Sequence, residues 1–375
     1  MKKKIFAGLS HAQFMRRHWQ KKPMLARAAL APYSDAITRE DLMALACRED
    51  VESRLVTRRG GKWRVENGPF TRRGLAKLPE SGWTLLVQGV DQELWQAAGL
   101  VREFAFIPFA RFDDVMVSYA APGGGVGPHF DSYDVFLVQG RGARRWQISR
   151  QRDLELVRGA PLKILRRFRA ERECVLGPGD ALYLPPRYAH NGVAIDECIT
   201  YSIGFRAPTA QELGSAFLAF LEERLALPGM YSDPDLPSTQ TPARIPAVMI
   251  ERMRAMLEQI RWSEREIGEF AGRFLTEPKA RVVFERPARP VPRSRFAQRL
   301  AAVGVRLALR TRMLTRGSNA FINGEMESCG AATVRVLEDL ANERILAPPL
   351  EIDRAACDLL YSWYRSGYVE LGANP

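Results

Sequence analysis

The chain has few of the features that mark secreted, membrane-bound or disulfide-stabilised proteins. No run of about eighteen apolar residues occurs, so no membrane-spanning helix is expected. The opening M-K-K-K-I-F-A-G-L-S is charged like a signal peptide, but its apolar run is too short for one. The five cysteines are an odd number without C-x-x-C spacing, which argues against a disulfide framework and predicts buried thiols: Cys47, Cys174, Cys198, Cys329 and Cys357. We expect a cytoplasmic protein with no membrane partner.

Acidic residues are nearly missing from two stretches of the chain. Residues 1–34 contain eight Lys or Arg and no acidic residue, and residues 281–316 contain ten Arg and one acidic residue. The second stretch therefore carries +9, against a net charge of +12 for all 375 residues. Such clustering indicates an anionic partner, with nucleic acid or ribonucleoprotein first. An arginine-rich surface that only keeps the protein soluble is the alternative.

Histidine is scarce too, with four residues, yet two of them lie in patterns that suit a metal site. His129 and Asp131 lie two residues apart in G-V-G-P-H-F-D, so on a strand their side chains share one face. His190 follows a P-G-D turn and a Y-L-P-P strand end. Two histidines and one carboxylate form the facial triad of non-haem Fe(II) oxygenases. A surface histidine beside a turn aspartate is the alternative for an isolated H-x-D, but the glycine-rich approach and the distal histidine favour a metal.

Strand alternation assigns further residues to the interior. After the Gly140-Arg141-Gly142 turn, Arg144 shares a face with Trp146 and Ile148, and a buried guanidinium is costly unless it meets a carboxylate. Ser118 lies on an earlier strand among small neighbours. Thr200 and Ser202 belong to a small, mostly polar strand face that predicts either the lining of a polar pocket or a loosely packed interior.

The character of the chain changes at Ala207-Pro208. Helical spacing predicts helices over 211–225 and 248–260, and the second carries a methionine-rich stripe that could pack within the chain or against a second copy, with an internal core favoured. A proline- and arginine-rich linker precedes helices at 296–309, 331–344 and 353–366, and a terminal strand follows them, an order typical of a winged helix. We predict domains at 1–206 (catalytic), 207–280 (helical) and 281–375 (basic linker and winged-helix-like).

These motifs resemble those of the JmjC-type ribosomal oxygenases, and most closely the bacterial arginine hydroxylases that act on large-subunit ribosomal protein L sixteen. The similarity rests on F-M-R-R-H-W-Q-K-K-P-M-L, D-D-V-M-V-S-Y-A, G-V-G-P-H-F-D-S-Y-D-V-F-L-V-Q-G, R-R-W and Y-S-I-G-F-R-A-P. It implies a mainly β catalytic core, a double-stranded β-helix of the jelly-roll or cupin type. It further implies an α-helical dimerisation region and an α+β winged-helix-like C-terminal domain, so that a homodimer is expected.

The resemblance also implies a cofactor, a cosubstrate and a reaction. His129, Asp131 and His190 would hold Fe(II), and Arg144 would bind the distal carboxylate of 2-oxoglutarate. Ser118 corresponds to a residue that contacts the cosubstrate, and Thr200 or Ser202 stands where another contact is expected. The implied reaction hydroxylates a side chain, arginine at its β-carbon, in a large-subunit ribosomal protein and releases succinate and CO2.

Three other functions stay open from the sequence. A JmjC lysine demethylase would oxidise an N-methyl group and release formaldehyde. A cupin-type sensor with a winged helix would act as a nucleic-acid-binding regulator without turnover. An iron cupin dioxygenase that uses no 2-oxoglutarate would leave Arg144 unexplained. Because a ribosomal-protein substrate is itself basic, we expect the positive segments to lie away from the active-site mouth or to contact ribosomal RNA.

Overall fold

The structure is a computed structural model that describes residues 8–372. Most of the opening stretch on which the signal-peptide argument rests therefore lies outside the described residues. Across residues 8–372, no helix has both the length and the apolar character needed to cross a bilayer.

Residues 8–111 form a mixed layer of short helices and strands. Three of the four α-helices start at a side-chain cap, and Ser10 and Thr38 each form a reciprocal capping box with the residue three positions later. An antiparallel hairpin spans residues 53–67, and its turn is made by Gly60 and Gly61 at positive φ. The elements are α1 (His11–Arg17), β1 (Met24–Ala26), α2 (Arg39–Ala46), β2 (Ser53–Arg59), β3 (Lys62–Asn67), α3 (Arg72–Ala76), β4 (Trp83–Val87) and α4 (Trp95–Arg102), with 3-10 turns at Ala31–Tyr33, Val90–Gln92 and Phe109–Arg111.

Two antiparallel sheets form the core of the molecule. The strands are β5 (Phe112–Ala120), β6 (Asp134–Arg141), β7 (Arg144–Ser149), β8 (Arg172–Leu176), β9 (Ala181–Leu184), β10 (Ala189–Ala194) and β11 (Cys198–Phe205). The large sheet has the order β1-β9-β6-β11-β5-β4-β2-β3, and the small sheet has the order β10-β7-β8. The chain crosses repeatedly between the two sheets, which confirms the predicted double-stranded β-helix.

The two faces of the large sheet pack against different layers. On β6, Val135 and Leu137 point toward the small sheet and pack with its residues, including Trp146 and Ile148. Phe136 and its alternate neighbours point the other way, into the larger core beneath the N-terminal helices. Alternate side chains of β7, those of Arg144, Trp146 and Ile148, are buried and face the interior between the two sheets.

Three helices follow the barrel: α5 (Ala210–Glu222), α6 (Ala247–Leu257) and α7 (Glu264–Thr276). The sequence predicted the first two and missed α7, although Ser263 and Glu266 form a capping box at its start. The internal packing expected for the methionine-rich stripe was wrong. No residue of α6 is buried, and Leu257 is 64% exposed.

The C-terminal region has a separate hydrophobic core built around Phe296, Leu337, Leu360 and Trp363. Its three helices and terminal strand were predicted, although the first helix ends at Val303 and residues 305–307, predicted as helix, form a strand. The hairpins between residues 313 and 328 were not predicted. The elements are α8 (Arg293–Val303), β12 (Val305–Leu307), β13 (Met313–Arg316), β14 (Asn319–Ile322), β15 (Glu325–Ser328), α9 (Ala331–Glu343), β16 (Ile345–Leu346), α10 (Arg354–Ser366) and β17 (Val369–Leu371). The strands form two small sheets, ordered β16-β12-β17 and β13-β14-β15.

Many arginines of the 281–316 stretch bond within the molecule. Five of the ten form ion pairs with carboxylates, and two of these arginines connect the C-terminal region to the N-terminal part of the chain. The pairs are Arg293 with Asp358, Arg306 with Glu370, Arg310 with Asp50 and Glu93, Arg312 with Asp113, and Arg316 with Glu264. Part of this charge therefore stabilises the fold and is unavailable to an external anion.

All five cysteines are free thiols, as the missing disulfide spacing predicted. The expectation that they are buried holds for Cys198 alone, because the other four are partly exposed.

Candidate active site

The side chains of His129, Asp131 and His190 converge at one end of the barrel. Their candidate ligand atoms all lie within 4.8 Å of one another. The strand predicted for the first two was wrong. His129 forms an isolated antiparallel bridge with His190 on β10, with N–H to O distances of 2.9 and 2.8 Å. Asp131 lies in the following loop, and its carbonyl accepts a hydrogen bond from the N–H of Arg187 at 2.6 Å.

Backbone carbonyls orient both histidine rings. The Nδ1 of His129 lies 2.8 Å from the carbonyl oxygen of Gly127, and the Nδ1 of His190 lies 2.9 Å from that of Tyr188. A proton on each Nδ1 satisfies these contacts and leaves each Nε2 with a free lone pair for a metal. Gly127 has a φ of +81°, and a Cβ there would lie 2.9 Å from the Trp63 ring. The glycine-rich approach therefore lets the chain pass close enough to place His129.

Burial keeps one of these ligands neutral. His190 is 2% exposed, and desolvation lowers its pKa to about 4, with a further lowering by His129 and an opposing effect of Asp131. Its Nε2 lies 3.6 Å from Oδ2 of Asp131. Two imidazoles with a carboxylate provide the nitrogen and oxygen donors that suit a non-haem Fe(II) centre.

Arg144 is the most unusual charge in the barrel. It is 5% exposed on β7, and its Nη1 donates a 3.3 Å hydrogen bond to Oγ of Ser118. Its Nε and Nη2 have no hydrogen-bond partner within the part of the chain that the structure describes. A buried guanidinium with two unused N–H groups is strongly destabilising unless an anion binds to it.

The other predicted cosubstrate residues differ in where they lie. Ser118 on β5 pairs in register with Thr200 on β11, and its hydroxyl contacts Arg144. The hydroxyl of Thr200 instead donates to Oε1 of Gln139 at 3.1 Å. Ser202 lies two residues further along β11, opposite Met116, and is partly exposed. The structure thus brings Ser118 to Arg144, whereas the hydroxyl of Thr200 is engaged elsewhere.

Trp146 is a residue whose role the sequence did not reveal. Its side chain is buried, its ring centroid lies 5.9 Å from that of His190, and the guanidinium carbon of Arg144 lies 5.7 Å from the ring. Its Nε1 has no hydrogen-bond partner among residues 8–372. Alternation placed the indole inside, but whether its N–H is satisfied can be seen only in three dimensions. Arg144 and Trp146 together present three unsatisfied buried N–H groups.

An open cavity of about 610 Å³ begins near the metal-ligand loop. Tyr133, two residues beyond Asp131, is 41% exposed and lines it together with Asp113, Glu212 and Glu277. The partial burial of the Tyr133 ring raises the pKa of its hydroxyl, and the negative charges of Asp131, Asp114 and Asp113 raise it further. The cavity is large enough to admit a loop of a protein substrate.

Comparison with known proteins gives consistent matches along the chain. A family model for a JmjC domain matches residues 99–213, and one for a ROXA-like winged helix matches residues 259–370. The chain is 36% identical over 322 residues to the ribosomal protein uL16 3-hydroxylase of Escherichia coli, which covers 84% of this chain and 85% of that protein. The crystal structure of Escherichia coli YcfD matches with a TM-score of 0.86 and 32% identity over 97% of this chain and 98% of that chain. A structure of YcfD, a ribosomal oxygenase, in complex with cobalt and 2-oxoglutarate matches over the same shares with a TM-score of 0.84 and 32% identity.

Proposed function

Because the chain belongs to the JmjC-type ribosomal oxygenases, we propose that it hydroxylates the β-carbon of an arginine in large-subunit ribosomal protein uL16. The family membership that the sequence motifs indicated is thereby confirmed. The assignment to the dioxygenases that use Fe(II) and 2-oxoglutarate is confirmed as well. The sensor without turnover is not supported, since the relatives are named as hydroxylases and oxygenases.

Residues within the barrel fit both the metal and the cosubstrate. We assign His129, Asp131 and His190 to the iron, since their donor atoms already converge. The single observation that carries the assignment of 2-oxoglutarate is Arg144, whose two unsatisfied N–H groups can bind one carboxylate in a bidentate manner. Ser118 and Trp146 lie beside it and can supply further donors.

The protein contributes position and charge to the reaction. Bound Fe(II) supplies the dioxygen chemistry that couples oxidative decarboxylation of 2-oxoglutarate to C–H hydroxylation, giving succinate and CO2. Arg144 fixes the distal carboxylate, which sets the depth at which the 2-oxo acid enters the barrel. The apolar residues between the two sheets exclude water from this interior. The open cavity lined by Tyr133, two residues beyond Asp131, offers room for a substrate loop, and a loop held there would bring one C–H bond toward the metal ligands.

Mass spectrometry of ribosomal proteins tests the substrate directly. Cells with and without this gene are compared, and we expect a gain of one oxygen atom on one arginine of uL16 only when the gene is present. Peptide fragmentation locates that oxygen at the β-carbon. Formaldehyde release without a stable mass gain would instead indicate N-demethylation, and an unmodified uL16 in both strains would reject the proposed substrate.

We further propose a homodimer that acts in the cytoplasm and forms through the helical region. Large apolar side chains of α5 and α6 face solvent in the single chain, among them Leu218 at 66% and Leu257 at 64% exposure. Exposed apolar faces of this kind are typical of protein interfaces. Light scattering should give twice the chain mass, and replacement of both leucines by glutamate should give the monomer mass. A monomeric wild-type protein would reject the dimer.

A further inference from the structure

Two exposed segments flank the residues that lead to His129. The hairpin arm, residues 53–67, comprises β2, its turn and the edge strand β3. Its Trp63 ring packs on Gly127, where a Cβ would lie only 2.9 Å away. The excursion arm, residues 150–171, connects β7 to β8, and the N–H of Leu165 donates to the carbonyl of Pro128 at 2.8 Å. The two arms therefore meet the chain at adjacent residues just before the metal site.

The excursion arm is a structured element. Its two halves run antiparallel, with a bridge between Leu156 and Leu165. The N–H of Val157 donates to the carbonyl of Ile164, and the N–H of Arg166 donates to that of Glu155, both at 2.8 Å. Ile164 and Leu165 are buried, so the arm is fixed to the barrel while its charged side chains point outward.

The two arms are strongly basic. The hairpin arm has five Lys or Arg and one Glu, and the excursion arm has seven Lys or Arg and three acidic residues, so each carries +4. Together they carry +8 in 37 residues, a concentration of charge comparable to the +9 of residues 281–316. All of these cations except Arg54 are exposed. Both arms lie outside residues 1–34 and 281–316, the stretches in which acidic residues are nearly missing.

Few of these cations have an internal partner. The ion pairs in the arms are Arg64 with Glu66, Arg166 with Glu155, and Arg150 with Glu171, the last at 4.0 Å. Within residues 8–372 no carboxylate pairs with the other nine. The arginines of the C-terminal region show the contrast, since half of those in residues 281–316 are paired. Selection for solubility alone does not require unpaired charge to concentrate on two segments that contact the residues leading to His129.

A basic substrate loop would be repelled by these arms, whereas a polyanion would be attracted. Trp63, half-buried beside Arg58 on the hairpin arm, adds an aromatic surface on which a base can stack. We infer that the two arms bind an RNA strand, so that the preferred substrate is the ribosomal protein already bound to RNA. This inference rests on the proposed function for its substrate. The basic enzyme repels a basic substrate that is free in solution, but it attracts the same substrate once RNA is bound to it.

The test measures RNA binding by the full-length protein as a function of salt. The probe is a fluorescein-labelled single-stranded RNA of twenty nucleotides and mixed sequence, followed by anisotropy. One variant changes Arg58, Arg59 and Lys62 to Gln, and a second changes Arg158, Lys163 and Arg167 to Gln. The control changes Arg289, Arg295 and Arg299 to Gln, which removes the same charge from exposed arginines of the C-terminal region.

Each arm variant should reduce the slope of log affinity against log salt by about 2, because a single strand contributes about 0.7 per neutralised phosphate. The control should keep the wild-type slope. An equal loss in the control, or no binding by the wild type at 0.1 M salt, would overturn the proposal. Equal competition by polyglutamate of matched charge would also overturn it, since that result indicates general anion attraction.

A second measurement separates this inference from the proposed function. Hydroxylation is followed on uL16 alone and on uL16 bound to its RNA, and the ratio of the two rates should fall in both arm variants but not in the control. If RNA binds through the arms while uL16 is never hydroxylated, the proposed substrate is wrong and the RNA surface stands. If uL16 is hydroxylated with a ratio that the arms do not affect, the RNA inference fails alone.

Discussion

Arginines of the barrel and of the C-terminal region occupy opposite electrostatic situations. Arg310 in the C-terminal region is 14% exposed in its side chain and bonds to Asp50 at 2.7 Å and to Glu93 at 2.8 Å across the domain contact. Arg144 in the barrel is even more buried, yet it has a single hydrogen bond, to the neutral hydroxyl of Ser118. One guanidinium has its counter-charges in the chain, whereas no carboxylate among residues 8–372 pairs with the other.

This difference separates residues that stabilise the fold from residues that await a ligand. A buried charge with all its partners contributes to stability or costs little, whereas an unpartnered one costs several kcal/mol and persists only if a bound molecule repays it. The same distinction holds at the surface, where the C-terminal arginines are often paired and those of the two arms mostly are not. Unsatisfied donors are therefore the better guide to function in this protein.

The largest effect is expected from the metal ligands themselves. Replacing His129 or Asp131 by Ala should abolish 2-oxoglutarate turnover, because two donors alone hold Fe(II) weakly. Metal analysis after dialysis should show loss of bound iron along with loss of succinate formation. His18→Ala is the matched control, since that ring contacts the carbonyl of Pro23, and it should retain both iron and turnover. Retained turnover in His129→Ala would reject the assigned site.

The next effect concerns the unpartnered guanidinium. Arg144→Met removes about two charge-assisted hydrogen bonds to the cosubstrate, so the 2-oxoglutarate requirement should rise about a hundredfold. Without ligand, the same variant should be at least as stable as the wild type, because an uncompensated buried charge has been removed. Kinetics in 2-oxoglutarate and thermal unfolding of the ligand-free protein measure the two effects.

Arg145→Met is the control, since Arg145 is exposed on the opposite face of β7 and should change neither quantity. An unchanged requirement in Arg144→Met would show that another residue holds the carboxylate. The comparison of paired and unpaired arginines would then lose its clearest case.

The contrast between Arg144 and Arg310 also shows which structural features can be predicted from the sequence. Period-two alternation placed Arg144, Trp146 and Ile148 inside correctly, because side-chain direction on a strand is a local property. It failed for His129 and Asp131, where a single bridge and a loop position the ligands although the spacing suggested a strand. Local patterns do not encode the loop path set by Gly127 and Trp63.

The ion-pair partners of the arginines could not be predicted from the sequence either. The +9 stretch suggested an external anion, but Arg310 pairs with Glu93, a residue 217 positions away. Only the tertiary structure brings such residues together. The excursion arm did not stand out as basic in the sequence, because its acidic residues lower its net charge. The fold nevertheless brings this arm against the residues that lead to His129.

A smaller effect is expected at the domain contact. Substitution of Arg310 should lower the stability of the protein, whereas Arg144→Met should leave the ligand-free protein at least as stable as the wild type. Arg310→Met leaves Glu93 and Asp50 without their cation and should lower the free energy of unfolding by about 2 kcal/mol, less than for a fully buried pair because water reaches Asp50. Chemical unfolding measures this loss, and 2-oxoglutarate affinity should not change. Arg299→Met, at an exposed arginine outside the observed ion pairs, should stay within about 0.5 kcal/mol of the wild type. Equal stability of the two variants would remove the distinction between paired and unpaired arginines.

The smallest effect tests whether the distinction extends to a neutral donor. Trp146→Phe keeps a ring between the sheets and deletes the unsatisfied N–H, so a hydrogen bond worth about 1 kcal/mol is lost and cosubstrate affinity should fall about fivefold. Calorimetric titration of 2-oxoglutarate into metal-loaded protein without oxygen measures it. Trp83→Phe is the matched control, because its Nε1 already donates to Pro79 at 2.6 Å. Both variants lose ring volume, but only Trp83→Phe leaves a carbonyl oxygen without its hydrogen bond. Trp83→Phe should therefore lose more stability than Trp146→Phe and keep the wild-type affinity for 2-oxoglutarate. If Trp146→Phe binds the cosubstrate as the wild type does, the indole N–H has no ligand role and Arg144 is the sole functional donor of this pair.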